Sequence, residues 1–132
     1  MDSLLTGSLE LRDLINEMVD LYNYDQSSEA SAAAGTGALS VAVRTSYVTL
    51  DGTDARTLAA PTFAGQHKDV YVVAGANTPV LALTVTGTKV SGANVFTSGT
   101  WVEASAPLGL LFYSTDGTSW DPPVMIGTWT QS

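Results

Sequence analysis

The chain has no cysteine and a single histidine, His67. The first absence excludes a disulfide scaffold and any thiolate metal centre. The second leaves no partner imidazole for a metal site and restricts any Ser–His–Asp arrangement to His67, without the G-x-S-x-G elbow that would present a nucleophile. His67 opens a strand-like run beside Lys68 and is read as a strand residue. Basic residues are also scarce: five Lys and Arg stand against 13 acids, for a net charge of −8. Phosphate backbones and anionic lipid both need clustered cations, so no nucleic acid and no membrane is expected as a partner. Long apolar runs are missing too. No stretch approaches the roughly 20 residues of a membrane span. The opening MDSLLTGSLELRDL has neither the basic region nor the apolar run of a secretory signal, which predicts folding in a cytoplasm.

The acids and glycines that are present do not assemble into chemistry. Asp51 with Asp54, and Asp116 with Asp121, flank glycine turns, where Asp is ordinary turn chemistry rather than a multi-oxygen cation loop. Glu103, inside the predicted strand TWVEA, lacks an evident carboxylate partner for glycoside hydrolysis. The glycines at 35 and 37 lack the strand–glycine–helix order of a dinucleotide loop. The expectation is a non-enzyme with no cofactor and no metal.

Hydrophobic residues make up 45% of the 132, enough for a packed domain, while charged residues are only 14%, below the usual quarter. The surface is therefore largely Thr, Ser, Ala, Gly and Asn. The charge is uneven: residues 1–34 carry seven acids against Arg12 alone, a net −6, and the remainder carries −2.

The chain divides into three regions. Residues 1–24 form a helical arm, with an amphipathic helix over 8–24 capped by Ser8 and favoured by Glu10 in its first turn. Leu4, Leu11 and Met18 are spaced by seven, Leu14 and Leu21 likewise and offset by three, and Ile15 and Tyr22 widen the stripe. Two readings fit this seam: a helix packed on its own domain, or a short coiled-coil stem or docking helix in an oligomer. About two heptads do not hold together unaided, so a stem would need help from the β domain. Residues 25–38, DQSSEASAAAGTGA, have no packing period and read as a flexible linker.

From 39 to 132 the pattern is β. Leu39, Val41 and Val43 alternate with polar or small residues, and Tyr47 to Leu50 continue the strand after a bulge. His67–Ala74 and Val80–Thr86 flank Gly75, Asn77 and Pro79 as a hairpin. TWVEA, LLFYS and VMIGTWT supply later strands, separated by Asp-Gly, Ser-Gly and Pro-Pro breaks. About eight short strands with frequent turns predict a mainly β fold: an antiparallel β-sandwich or jelly-roll-like domain behind an N-terminal amphipathic helix. Trp101, Trp120 and Trp129 with Phe112 and Tyr113 fall in the last third. They fit a core or a subunit contact, or a sugar-stacking surface made by Trp120, Trp101 and Tyr113, with Trp120 beside its turn the one expected at the surface.

The run TLAAPTFAGQHKDVYVVAGANTPVLALTVTG joins a Thr-Leu-x-x-Pro edge, a Gly-Gln, a strand, a reversal and a strand ending in Thr-Gly. With FTSGTWVEASAPLGLLFYSTDGTSW behind it, it resembles small virion proteins of tailed bacteriophages over residues 45–132. The resemblance does not extend to residues 1–38 and carries no catalytic residues. It implies a capsid decoration or head-fibre protein on the virion surface, often a homotrimer, whose partners are itself and the major capsid protein or another virion protein. Leu4, Leu11, Leu14, Ile15, Met18, Leu21 and Tyr22 would then be the arm's contact seam. The alternative expectation is a carbohydrate-binding β-sandwich module of the tail-fibre or receptor-binding type.

Overall fold

The computed structural model describes residues 2–31, 36–49, 53–73, 80–88, 94–98 and 108–131. Helix α1 spans Asp2–Gln26. Among the described residues ten strands follow: β1 Ser28–Ser31, β2 Thr36–Leu39, β3 Thr45–Thr49, β4 Thr53–Leu58, β5 His67–Val73, β6 Val80–Val85, β7 Asn94–Ser98, β8 Leu108–Tyr113, β9 Val124–Ile126 and β10 Trp129–Gln131. They form two five-stranded sheets, β1-β3-β5-β8-β9 and β10-β7-β6-β4-β2.

The predicted antiparallel order is corrected: both sheets are mixed. β1, β3 and β5 run parallel, as do β2, β4 and β6. The first six strands alternate between the two sheets, so the chain winds in coils and meets its in-sheet neighbour only after crossing the other layer. The direction then reverses. β7 lies antiparallel to β6, β8 to β5, β9 to β8 and β10 to β7. The expected β5–β6 hairpin does not form, because β5 pairs with β3 and β8 whereas β6 pairs with β4 and β7. The turn assigned to Gly75, Asn77 and Pro79 lies outside the described residues, as do Asp51–Gly52, Ser91–Gly92 and Trp101 with Glu103.

The strand count rises above eight for two local reasons. Ser28–Ser31 and Thr36–Leu39, inside the stretch read as linker, add edge strands to the two sheets. VMIGTWT is split by Gly127, whose φ of 87° is a left-handed conformation that ends β9 and sends β10 to the opposite sheet. The expected strand through Val41 and Val43 is a turn instead. The helix begins before Ser8, at Asp2, so Ser8 is an interior helical residue and not the cap.

The sheets share one core. Val48, Val70, Val72, Leu108, Leu110 and Phe112 face Leu39, Leu58, Leu81, Leu83, Val85 and Phe96. The Phe96 and Phe112 rings meet edge to face at 5.9 Å across the layers, so the arrangement is sandwich-like. β5, whose run of valines and tyrosine predicted a central strand, is the middle strand of its sheet.

Candidate assembly surface

Among the described side chains of helix α1, those that contact the β domain lie at its base. From Glu10 to Asn23 every residue is exposed. The predicted seam is open to solvent: Leu11 is 57% exposed, and Leu14, Ile15, Met18, Val19, Leu21 and Tyr22 are exposed with it. Leu4 lies in the same helix. The reading of a helix packed along its own domain is therefore set aside. Good helix formers and the lack of proline favour the helix locally, but its apolar stripe from Leu11 to Tyr22 is left largely open to solvent.

At its base the helix is fixed firmly. Tyr24 packs edge-on against Phe63 with ring centres 5.3 Å apart. Its hydroxyl donates to the His67 carbonyl and accepts from Gln66 Nε2 at 3.1 Å. Burial pushes the Tyr24 phenol up from its ordinary range. Gln66 is fully buried. It also donates to the Val41 carbonyl at 2.9 Å and accepts the Thr62 amide at 2.7 Å, binding three segments together. Asp25 would oppose the negative C-terminal end of the helix dipole. Arg44 answers it at 3.0 Å and also reaches Asp69 at 3.3 Å. Ser27 completes the junction: its carbonyl accepts the Thr45 amide at 3.2 Å and its hydroxyl oxygen accepts the Arg44 amide at 2.9 Å. The stem thus leaves the domain at a set angle, which a flexible linker would not provide.

Between the helix base and the loop before β5 lies a cavity of about 360 Å³, lined by Leu21, Tyr24, Asp25, Phe63, Ala64, Gly65 and His67. Gly117, at the tip of the β8–β9 connection, backs this loop. Its φ is 77°, and a Cβ there would fall 2.6 Å from the Ala64 nitrogen.

The two sheets differ on their outer faces. One carries Ala55, Thr57, Ala82 and Thr84, small and weakly polar. The other carries Tyr47 and Tyr71, paired in register with ring centres 5.9 Å apart and planes 25° apart. Beside them Tyr113 lies 4.8 Å from the His67 ring, and exposed Val124 continues the surface. Tyr71 leans over Gly109, where a side chain would meet its ring at 3.2 Å.

The proposed sugar-contact residues fare unequally. Trp120 is fully buried, which corrects the expectation that it stands at the surface. Its turn folds inward: the indole donates to the Ala59 carbonyl at 2.8 Å, its amide donates to the Gly87 carbonyl, and its ring packs 5.9 Å from Phe112. Tyr113 is exposed, and Trp101 lies outside the described residues. Tyr47 and Tyr71 were missed because each alternates with valine or serine as an ordinary strand residue would. Only the register β3↔β5 brings them together.

A further buried polar centre lies around Lys68. Lys68 is fully buried on the inner face of β5, and its ammonium donates to Ser40 O, Val43 O and Ser46 Oγ at 2.7, 2.9 and 2.6 Å, with Glu29 3.9 Å away. All three N–H donors are used, two on carbonyls of the turn between β2 and β3 and one on the Ser46 hydroxyl of β3. Burial lowers the Lys68 pKa to about 8. Asp116 accepts the Thr118 and Ser119 amides, each at 2.9 Å, which holds its carboxyl well below the usual range. Among the described residues no group of three His, Asp or Glu could hold a metal, and no helix is long and apolar enough to cross a membrane. No family model, curated protein or solved structure matches the chain.

Proposed function

We propose that the protein is a structural assembly module: a homo-oligomer, trimeric in the favoured form, whose α1 stem joins copies and whose β domain is displayed or bound against neighbouring subunits. The observation that carries this reading is the apolar stripe Leu11–Leu14–Ile15–Met18–Leu21–Tyr22, exposed along a helix that is firmly held at its base. Covering a Leu or Ile side chain is worth about 1.5–3 kcal/mol, so several of them per copy offset the entropy of association. The virion setting, a decoration or head-fibre protein of a tailed phage on the capsid surface, is supported by the resemblance over residues 45–132. It is also supported by a cysteine-free, lightly charged β domain suited to many weak contacts in a lattice. Light scattering of the full chain, with co-sedimentation on tailed-phage capsids, tests both parts. A multimer that co-sediments is expected. A monomer without capsid affinity refutes the proposal.

A second reading, carbohydrate binding, is favoured by the Tyr47–Tyr71 ring pair on an open sheet face. Aromatic faces stack on sugar C–H surfaces. Fluorescence titration with a glycan panel should then lose its response in Tyr71→Ser, and no response to any glycan counts against this reading.

A further inference from the structure

The stem is short for its task. With Leu11 and Met18 at heptad position a and Leu14 and Leu21 at d, the pattern meets Gly7 at d on one side and Asp25 at a on the other. Two heptads need further contacts to associate stably, and these have to come from the surfaces that adjoin the seam. In the same register the e positions are Ile15 and Tyr22, and the g positions are Glu10, Glu17 and Tyr24. In a parallel bundle the e flank of one helix lies against the g flank of the next.

The cavity at the helix base is lined by Leu21 at d, Tyr24 at g and Asp25 at a, together with Phe63–Gly65 and His67 of the β domain. It therefore opens on the g flank, toward a neighbouring copy's e flank at the level of Tyr22. Tyr22 is 65% exposed, the highest value among the described large hydrophobic side chains. We propose that this cavity receives the Tyr22 ring of an adjacent copy, so that each β domain grips its neighbour's stem. The inference rests on the self-association proposed above. Leu21, Phe63 and Ala64 offer an apolar floor for the ring, and Asp25 and His67 a polar rim for its hydroxyl, which suits an amphipathic aromatic. The rim also selects direction. An antiparallel pairing would bring Asp2, the sole acid among residues 1–9, toward Asp25, whereas the parallel one brings an uncharged phenol.

The test places the photoreactive analogue p-benzoylphenylalanine at position 22 of the full chain. Isotope-labelled and unlabelled copies are mixed, and cross-linked peptides are read by mass spectrometry beside a light-scattering mass. The same analogue at Asn16, at position f on the side of the helix opposite the seam, is the reference. Cross-links between copies from position 22 to Phe63–His67, several-fold above the reference, are expected. Tyr22→Ala should weaken association about tenfold while Tyr22→Phe stays near the parent. A multimer whose position-22 cross-links between copies go elsewhere overturns the proposed contact and leaves self-association standing. A single-chain mass overturns both.

Discussion

Trp120 and Lys68 show how far one residue's environment departs from its local sequence. Trp120 comes after Asp-Gly and Thr-Ser turn chemistry, yet it seals the end of the core, with its indole N–H satisfied by Ala59 and its ring against Phe112. Trp120→Ala would remove a fully buried ring and orphan a carbonyl. It should cost about 3–5 kcal/mol, read as a lower denaturant midpoint with the slope unchanged. Lys68 gives a pH signature. Its folded pKa of about 8 lies below its ordinary 10.5, so between those values the unfolded chain holds a proton that the folded chain has released. Stability should therefore rise with pH above about 8, by on the order of 1–3 kcal/mol. The raised Tyr24 phenol works in the opposite direction above its ordinary 10.0, so the gain should level off or turn over there. Chemical denaturation between pH 7 and 10 in the parent and Lys68→Met checks this. The rise should vanish in the variant, and a parent curve flat in that range would show that the ammonium's hydrogen bonds hold its pKa at the ordinary value.

At the scale of elements, the stem and its anchor are separable. The helix is held by Tyr24, Asp25 and Ser27 at its base, whereas Leu14 and Met18 are open to solvent. Leu14→Asp with Met18→Asp should thus leave the β domain's unfolding midpoint nearly unchanged, because exposed substitutions usually move stability by less than about 0.5 kcal/mol. The same pair should reduce the light-scattering mass to one chain. If the mass stays multimeric, the contacts between copies lie on the β domain, with the tyrosine face of the sheet as the first region to probe. The heptad spacing, the strands' alternation and the central place of β5 were legible in the residues, since a period of 3.6 or 2 is a local property. The linker reading was not: Ser28–Ser31 and Thr36–Leu39 have no apolar period, and they are strands because sheet edges β3 and β4 offer them partners.

For the whole molecule, charge sets the conditions of assembly. Glu10, Asp13, Glu17 and Asp20 accompany Arg12 on the exposed part of the stem, so bringing copies together concentrates negative charge around an apolar seam. At about 0.1 M salt such repulsion reaches roughly 10 Å and is screened at higher concentration. Self-association should therefore tighten by roughly three- to tenfold between low and moderate salt. Sedimentation equilibrium measures it directly, and weakening with salt would instead indicate ion pairs between copies.

The residues by themselves determined the helix with its heptad spacing, the mainly β character of the chain beyond it, the absence of thiols and the scarcity of basic side chains. These are matters of composition and local period. Tertiary structure alone decided that β5 and β6 part company into different sheets, that early strands run parallel, that Trp120 and Lys68 lie inside, and that Tyr47 meets Tyr71. The reason is physical. Alternation states that a strand has two faces, but which strand lies beside it, and in which direction, depends on where the chain goes between them. Here it crosses to the other layer and returns.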